Sequence, residues 1–246
     1  MYNYKIIVSY DGTEYRGWQK QGNTKNTIQG ALEKAVRAVT GETAEVIGSG
    51  RTDAGVHAVA QTANFKLSKK FPVEKLKEKL NRNVHDDICI QSVEEVDERF
   101  HSRLNAKGKT YLYRIQNTVE SDVFQKNFQY HYDAELDIDK MRQAAQVFVG
   151  THDFKSFCSN KHMKKSTERT VYSIDISKSD SGEIRMLFHG KGFLYNMVRI
   201  MAGTLIEAGR GEITPEDIEH MIELKDREKA GATAPACGLT LLEVEY

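Results

Sequence analysis

The chain has 246 residues, 39% hydrophobic and 28% charged, which suits one large domain or two smaller ones and argues against disorder. Its 35 lysines and arginines equal its 35 aspartates and glutamates, so net charge speaks neither for nor against a nucleic-acid partner, and the placing of charge has to be read instead. No apolar run reaches the ~18 residues that a membrane span needs, so no membrane partner is expected.

The opening MYNYKIIVSYDG lacks a signal peptide's basic start, apolar core and cleavage site. Cys89, Cys158 and Cys237 are odd in number, far apart and form no CxxC pair. A cytoplasmic protein is the expectation.

Tyr4 to Tyr10 reads as a strand ended by the Asp11-Gly12 turn. A polar loop follows, and Thr27 opens a helix with Ile28, Leu32, Ala35, Val36 and Val39 on one face, stopped at Gly41. Ala44 to Ile47 and His57 to Leu67 read as strands on either side of GSGRTDAGVHA. Val73 to Leu80 is a short amphipathic helix and Ile88 to Val96 a strand. LNAKGK, Leu104 to Lys109, has the weakest periodicity near the middle and marks the boundary between lobes 1–104 and 105–246. Beyond it come a strand from Thr110 to Gln116 and a helix from Ile138 to Val149 closed by Gly150. Val171 to Ser177 and Ile184 to His189 form a hairpin about Asp180-Ser181-Gly182. An apolar helix runs from Leu194 to Ala208, another starts at Thr214 and Pro215, and Leu239 to Val244 is a last strand. The whole predicts an α+β protein of two lobes, each a largely antiparallel sheet flanked by helices.

The loop GSGRTDAGVHA crowds Arg51, Asp53 and His57 among glycines. A phosphate-binding turn would need glycine where Asp53 stands, or Lys-Ser/Thr after Gly50. A metal site would need ligand spacing such as HExxH, which is absent, so no metal is expected. The third reading has glycines at positive φ pushing one carboxylate outward, with Arg51 on the same side of extended backbone. Arg51 would keep Asp53 ionised, as a nucleophile or base rather than a general acid. Spacing does not separate that from an aspartate that caps a turn with Arg51 as its partner. His57 reads best as a strand-start residue bonded locally.

Five blocks, in order, carry a family resemblance. GRTDAGVHA resembles the catalytic motif of the TruA-type tRNA pseudouridine synthases. YDGTEYRGWQKQ (10–21), KTYLYRI (109–115), FVGTHDFKSFC (148–158) and GKGFLYNMVRIMAGTLIEAGRG (190–211) resemble further motifs of that family. The resemblance implies the pseudouridine synthase fold with its active-site cleft between the lobes. It implies isomerisation of uridine to pseudouridine at positions 38, 39 and 40 of the tRNA anticodon stem-loop, with no cofactor, by a homodimer. Asp53 would be the nucleophile, and Arg51 would help hold the nucleotide out of its stack. Tyr111 would stack on the uracil, and Arg199 would pair with Asp53.

By the residues alone, Tyr111 reads more readily as part of a packed sheet, and Arg199 could equally reach from its apolar helix to solvent. Basic loops offer tRNA contacts: Arg16, Trp18 and Lys20; Arg103 and Lys109; Lys161, Lys164 and Lys165. The rival reading is a non-catalytic RNA-binding module of the same fold. The bare Asp53 carboxylate, which would repel phosphate, counts against it.

Overall fold

The computed structural model describes residues 1–246 except Asn23, Lys25, Lys161 and His162. The fold is α+β, with five α-helices among the described residues. The chain divides into two compact units, Met1–Lys107 with Thr240–Tyr246, and Gly108–Leu239.

In the first unit, β1 (Tyr2–Tyr10) lies between β4 (Ile88–Val96) and β3 (His57–Leu67), antiparallel to both. Alternation sets its faces: Tyr4, Ile6, Val8 and Tyr10 are buried, with more open residues between them. Helix α1 (Ile28–Thr40) buries Ile28, Leu32, Ala35 and Val36, the face that the spacing predicts. Ile28, Leu32 and Val36 each contribute roughly 1.5–3 kcal/mol by leaving water. Thr27 caps α1 by accepting from the Gly30 N–H, and Gly41 ends it in left-handed backbone, φ 76°. Helix α2 (Val73–Asn81) adds Leu76 and Leu80 to the core.

The predicted strand over 44–47 shrinks to β2 (Ile47–Gly48), paired with Ala63 and Asn64. Side chains of α1 have taken the backbone before it. Val46 N–H donates to Glu33 Oε1 (3.2 Å), and Val46 C=O accepts from Gln29 Nε2 (3.2 Å).

The C-terminal strand β10 (Leu239–Glu245) runs parallel to β3, Thr240 opposite His57 and Leu241 opposite Ala58. Thr240–Tyr246 thus belongs to the first unit, not with the stretch that precedes it. The Lys107 N–H donates to Glu245 C=O (2.9 Å), and the Tyr246 hydroxyl donates to Ser102 C=O (2.7 Å).

The second unit carries β5 (Gly108–Gln116), β9 (Glu183–Gly190), β8 (Glu168–Lys178) and β7 (Gly150–Asp153), adjacent in that order and antiparallel. β6 (Tyr130–His131) pairs parallel to the end of β5. The expected hairpin is present, with Gly182 at φ 82° in its turn. Helix α3 (Ile138–Gln146) stops before the predicted Val149, and Gly150 opens β7 instead of closing a helix.

Helix α4 (Met197–Gly209) is buried almost all round, which makes it the central helix of its unit. It starts at Met197 rather than Leu194, because Asn196 takes left-handed backbone, φ 61°. Helix α5 (Pro215–Leu224) begins with a full capping box between Thr214 and Asp217. No helix of the described residues is long and apolar enough to cross a membrane.

Candidate active site

Asp53 is half-buried in the loop between β2 and β3. Its C=O accepts from the Val56 N–H (3.2 Å), closing a four-residue turn. Gly55, third in that turn, has φ 78°, a backbone that a side chain would strain.

The loop is tied down on both flanks of Asp53. Ser49 N–H donates to Thr62 C=O (2.8 Å), and the Gln61 side-chain amide donates to Gly50 C=O (3.0 Å). Thr52 is held twice: its C=O accepts from the Trp18 N–H (3.0 Å), and its hydroxyl bonds the Tyr10 hydroxyl (2.8 Å). Beyond the turn, the Gly55 N–H donates to Tyr15 C=O (3.3 Å). The Tyr15 hydroxyl is anchored on Asp87 Oδ1 (2.6 Å), and burial, then that carboxylate, raises its pKa.

The glycines work by two mechanisms. Gly17 has φ 89°, and a Cβ there would stand 2.6 Å from Thr52 O and 3.1 Å from the Asp53 carbonyl carbon. Gly48 instead leaves room for the Trp18 ring, 2.5 Å from where a Cβ would be. Gly55 thus supplies the positive φ that its turn needs, while Gly48 and Gly17 allow close packing against the loop.

His57 is buried, and its Nδ1 accepts from the Gly12 N–H (3.1 Å), beside Asp11 Oδ1 at 3.2 Å. Its partners are therefore remote in sequence, not the local ones expected of a strand-start residue. Among the described residues, no three His, Cys, Asp or Glu side chains converge as a metal site.

Arg51 is exposed, and its Nε donates to Gln19 Oε1 (3.1 Å), a residue of the 10–21 block. Trp18 requires a correction. It is 2% exposed, its ring between Gly48 and Tyr10, so it supports the loop from inside and offers RNA no surface. Arg16 is exposed, whereas Lys20, also exposed, is paired with Glu33 Oε2 (2.6 Å). Arg103, Lys164 and Lys165 are exposed, Lys109 is half-buried in β5, and Lys161 lies outside the described residues.

In the second unit, Tyr111 is buried in β5 with its ring edge-on to Phe193, centroids 5.4 Å apart. Arg199 does not merely run out to solvent. Its Nε donates to Ala234 C=O (2.8 Å) and its Nη1 to Asn196 Oδ1 (3.2 Å), while the Ala234 N–H donates back to Arg199 C=O (3.0 Å). The Asn196 amide in turn donates to Ser159 Oγ (2.9 Å), which fixes the orientation of its oxygen.

Sequence reasoning missed Tyr10, Thr52, Gln61 and Asn196 as supports. Thr52 and Asn196 lie inside quoted motifs, and asparagine before an apolar helix is a cap signal. Tyr10 opens the 10–21 block but its partner is 42 residues away, and Gln61, outside every block, bonds a residue 11 away.

The first unit thus holds one half-buried carboxylate on a loop braced on both flanks, and the second unit an arginine oriented by Ala234 and Asn196. A family model described as tRNA pseudouridine synthase matches residues 6–105 and 144–246, and the chain belongs to that family, a family of isomerases. It is 49% identical over 246 residues to tRNA pseudouridine synthase A of Bacillus sp. (strain KSM-64), covering 100% of both chains. It is 50% identical to tRNA pseudouridine synthase A 2 of Clostridium tetani (strain Massachusetts / E88), covering 99% of this chain and 98% of that one. Among solved structures, a Cbf5-Nop10-Gar1 complex is a distant likeness: 12% identity, TM-score 0.36, covering 96% of this chain and 57% of that chain.

Proposed function

We propose that this tRNA pseudouridine synthase isomerises uridine at positions 38, 39 and 40 of the anticodon stem-loop, with Asp53 as nucleophile. The N1 bond to the sugar breaks, the base turns, a bond forms from C5 to the same sugar carbon, and the proton lost from C5 is balanced by one gained at N1. The product is an isomer of the substrate, so no oxidant, reductant or co-substrate is consumed. A carboxylate suits the positive charge that develops at the sugar, as in glycosyl transfer.

The observation that carries this reading is the bracing of Asp53. Thr52 before it and the turn after it are each fixed by hydrogen bonds, as preorganised catalysis requires. Arg51 grips the extruded nucleotide, whose unstacking costs a few kcal/mol. Tyr111 stacks on the uracil, and Arg199 supplies the cation that answers the Asp53 charge. Arg16, Arg103, Lys109, Lys164 and Lys165 contact the tRNA backbone. The working form is a cytoplasmic homodimer.

Mapping pseudouridine in unmodified tRNA after incubation with the purified protein tests this. Product at positions 38–40, formed also in excess EDTA, is expected. RNA binding without product would favour a non-catalytic module, and a monomeric mass by sedimentation with activity intact would remove the dimer.

A further inference from the structure

The second unit holds a cavity of about 490 Å³ at the end of β7, lined in part by Asn160 and by residues 163–167. Among the described residues, four lysines line it: Lys155, Lys164, Lys165 and Lys225. Among the described lining residues Asp153 is the sole carboxylate.

That carboxylate is already answered. Lys225 Nζ lies 2.9 Å from Asp153 Oδ2, and the Thr167 hydroxyl donates to Asp153 Oδ1. Burial works against its ionisation, but the Thr167 bond and the Lys225 ammonium outweigh it and hold its pKa below the usual value. The pair is therefore charge-neutral, and among the described lining residues the remaining lysines leave an excess of three positive charges. A volume of this order takes a ligand of several heavy groups, and the polar lining speaks against an apolar one.

The backbone adds a second, independent observation. Lys225 ends α5 in left-handed conformation, φ 52°; Asn196 is the other non-glycine residue so placed among the described residues. Such a residue carries a backbone strain that glycine would be spared. Strain of this kind collects where a side chain is needed at one point, and here it delivers an ammonium to the cavity.

We propose that this cavity is a phosphodiester subsite that seats a segment of the tRNA backbone through Lys155, Lys164, Lys165 and Lys225. The inference rests on the reading that tRNA is the substrate. Lysines serve here as point charges on phosphate oxygens, which gives affinity without sequence preference. Asp153 limits that affinity by engaging Lys225.

Equilibrium binding of an unmodified tRNA transcript, measured across a salt series, tests the proposal. Lys225→Gly removes the charge and relieves the backbone, so its melting temperature should hold while tRNA affinity falls several-fold. Its dependence on salt should flatten by about one unit for a lost phosphate contact. Lys155→Ala, at an exposed position, should weaken binding in the same way and serves if Lys225→Gly folds poorly. Asp153→Asn should act in the opposite sense, tightening binding and steepening the salt slope. Unchanged affinity and slope in Lys225→Gly and Lys155→Ala, both folded, would overturn the subsite. Product mapped with the unaltered protein judges the isomerase reading separately.

Discussion

The Tyr10 hydroxyl lies 2.8 Å from Thr52 Oγ1, with both residues buried and Asp53 next in the chain. Burial pushes the Tyr10 pKa up, against the Thr52 and Gln61 bonds that lower it, so the phenol stays protonated at neutral pH. It is a positioning residue, acting on Asp53 through Thr52. Tyr10→Phe would leave the Thr52 hydroxyl short of a buried partner, at a cost of about 1–3 kcal/mol. The melting temperature should fall, and kcat should fall more than KM changes. A lower melting temperature with unaltered kcat would show that the bond serves the fold alone.

Gly17 and Gly41 form a matched pair for testing the close approach. Both have positive φ, 89° and 76°, but a Cβ at Gly17 meets the Asp53 loop while one at Gly41 meets nothing within 4 Å. Alanine at either should cost roughly 1 kcal/mol or more in stability through backbone strain. Gly17→Ala alone should also lower turnover, because the loop must shift. Equal turnover in the two variants, assayed below both melting temperatures, would contradict this.

Asn196 aims Arg199 through a 3.2 Å bond while sitting in left-handed backbone. Asn196→Gly keeps that backbone at no cost and removes the amide. Stability should change little, and kcat should fall about tenfold, the equivalent of ~1.4 kcal/mol. A variant with wild-type kcat would mean that the Ala234 carbonyl suffices to hold the guanidinium.

The protein should lose stability in alkali. Burial raises the Tyr246 pKa to about 12, although bonds to Thr62 and Ser49 oppose this. The folded state thus holds this proton more tightly than the unfolded chain, whose tyrosine titrates near ~10. Its contribution is complete below pH ~10 and is lost as pH rises towards 12. Allowing for solvent screening of this partly exposed ring, the loss is on the order of 1 kcal/mol. Denaturant titrations at pH 8 and 11 should show a smaller drop in Tyr246→Phe than in the parent chain; equal drops would assign the effect to other tyrosines.

Local patterns made much of this fold legible. Thr27 and Gly41 bracket α1 as read, and β3 and β4 begin and end where alternation placed them. What failed were contacts between residues remote in sequence. Trp18 in a polar loop looked like an RNA platform, and nothing local says that Gly48 leaves its ring a slot. The strand over 44–47 was lost to α1 side chains that bond its backbone. The apolar run from Leu194 looked helical throughout, because left-handed backbone at Asn196 leaves no periodic trace. In the site, the motif marked Asp53 and its neighbours, but the Tyr10 and Gln61 braces arise only when β1, β3 and the loop meet.

The central claim is that Asp53 is the nucleophile, and pseudouridine formation by Asp53→Asn tests it most directly. The amide keeps the side chain's shape and removes its charge, so the braced loop should fold as before. Binding of tRNA should stay within a few-fold, since phosphate contacts come from basic residues elsewhere. The account predicts no detectable product, a loss of several powers of ten in rate. Turnover above about a tenth of the normal rate, which corresponds to only ~1.4 kcal/mol of barrier, would contradict it.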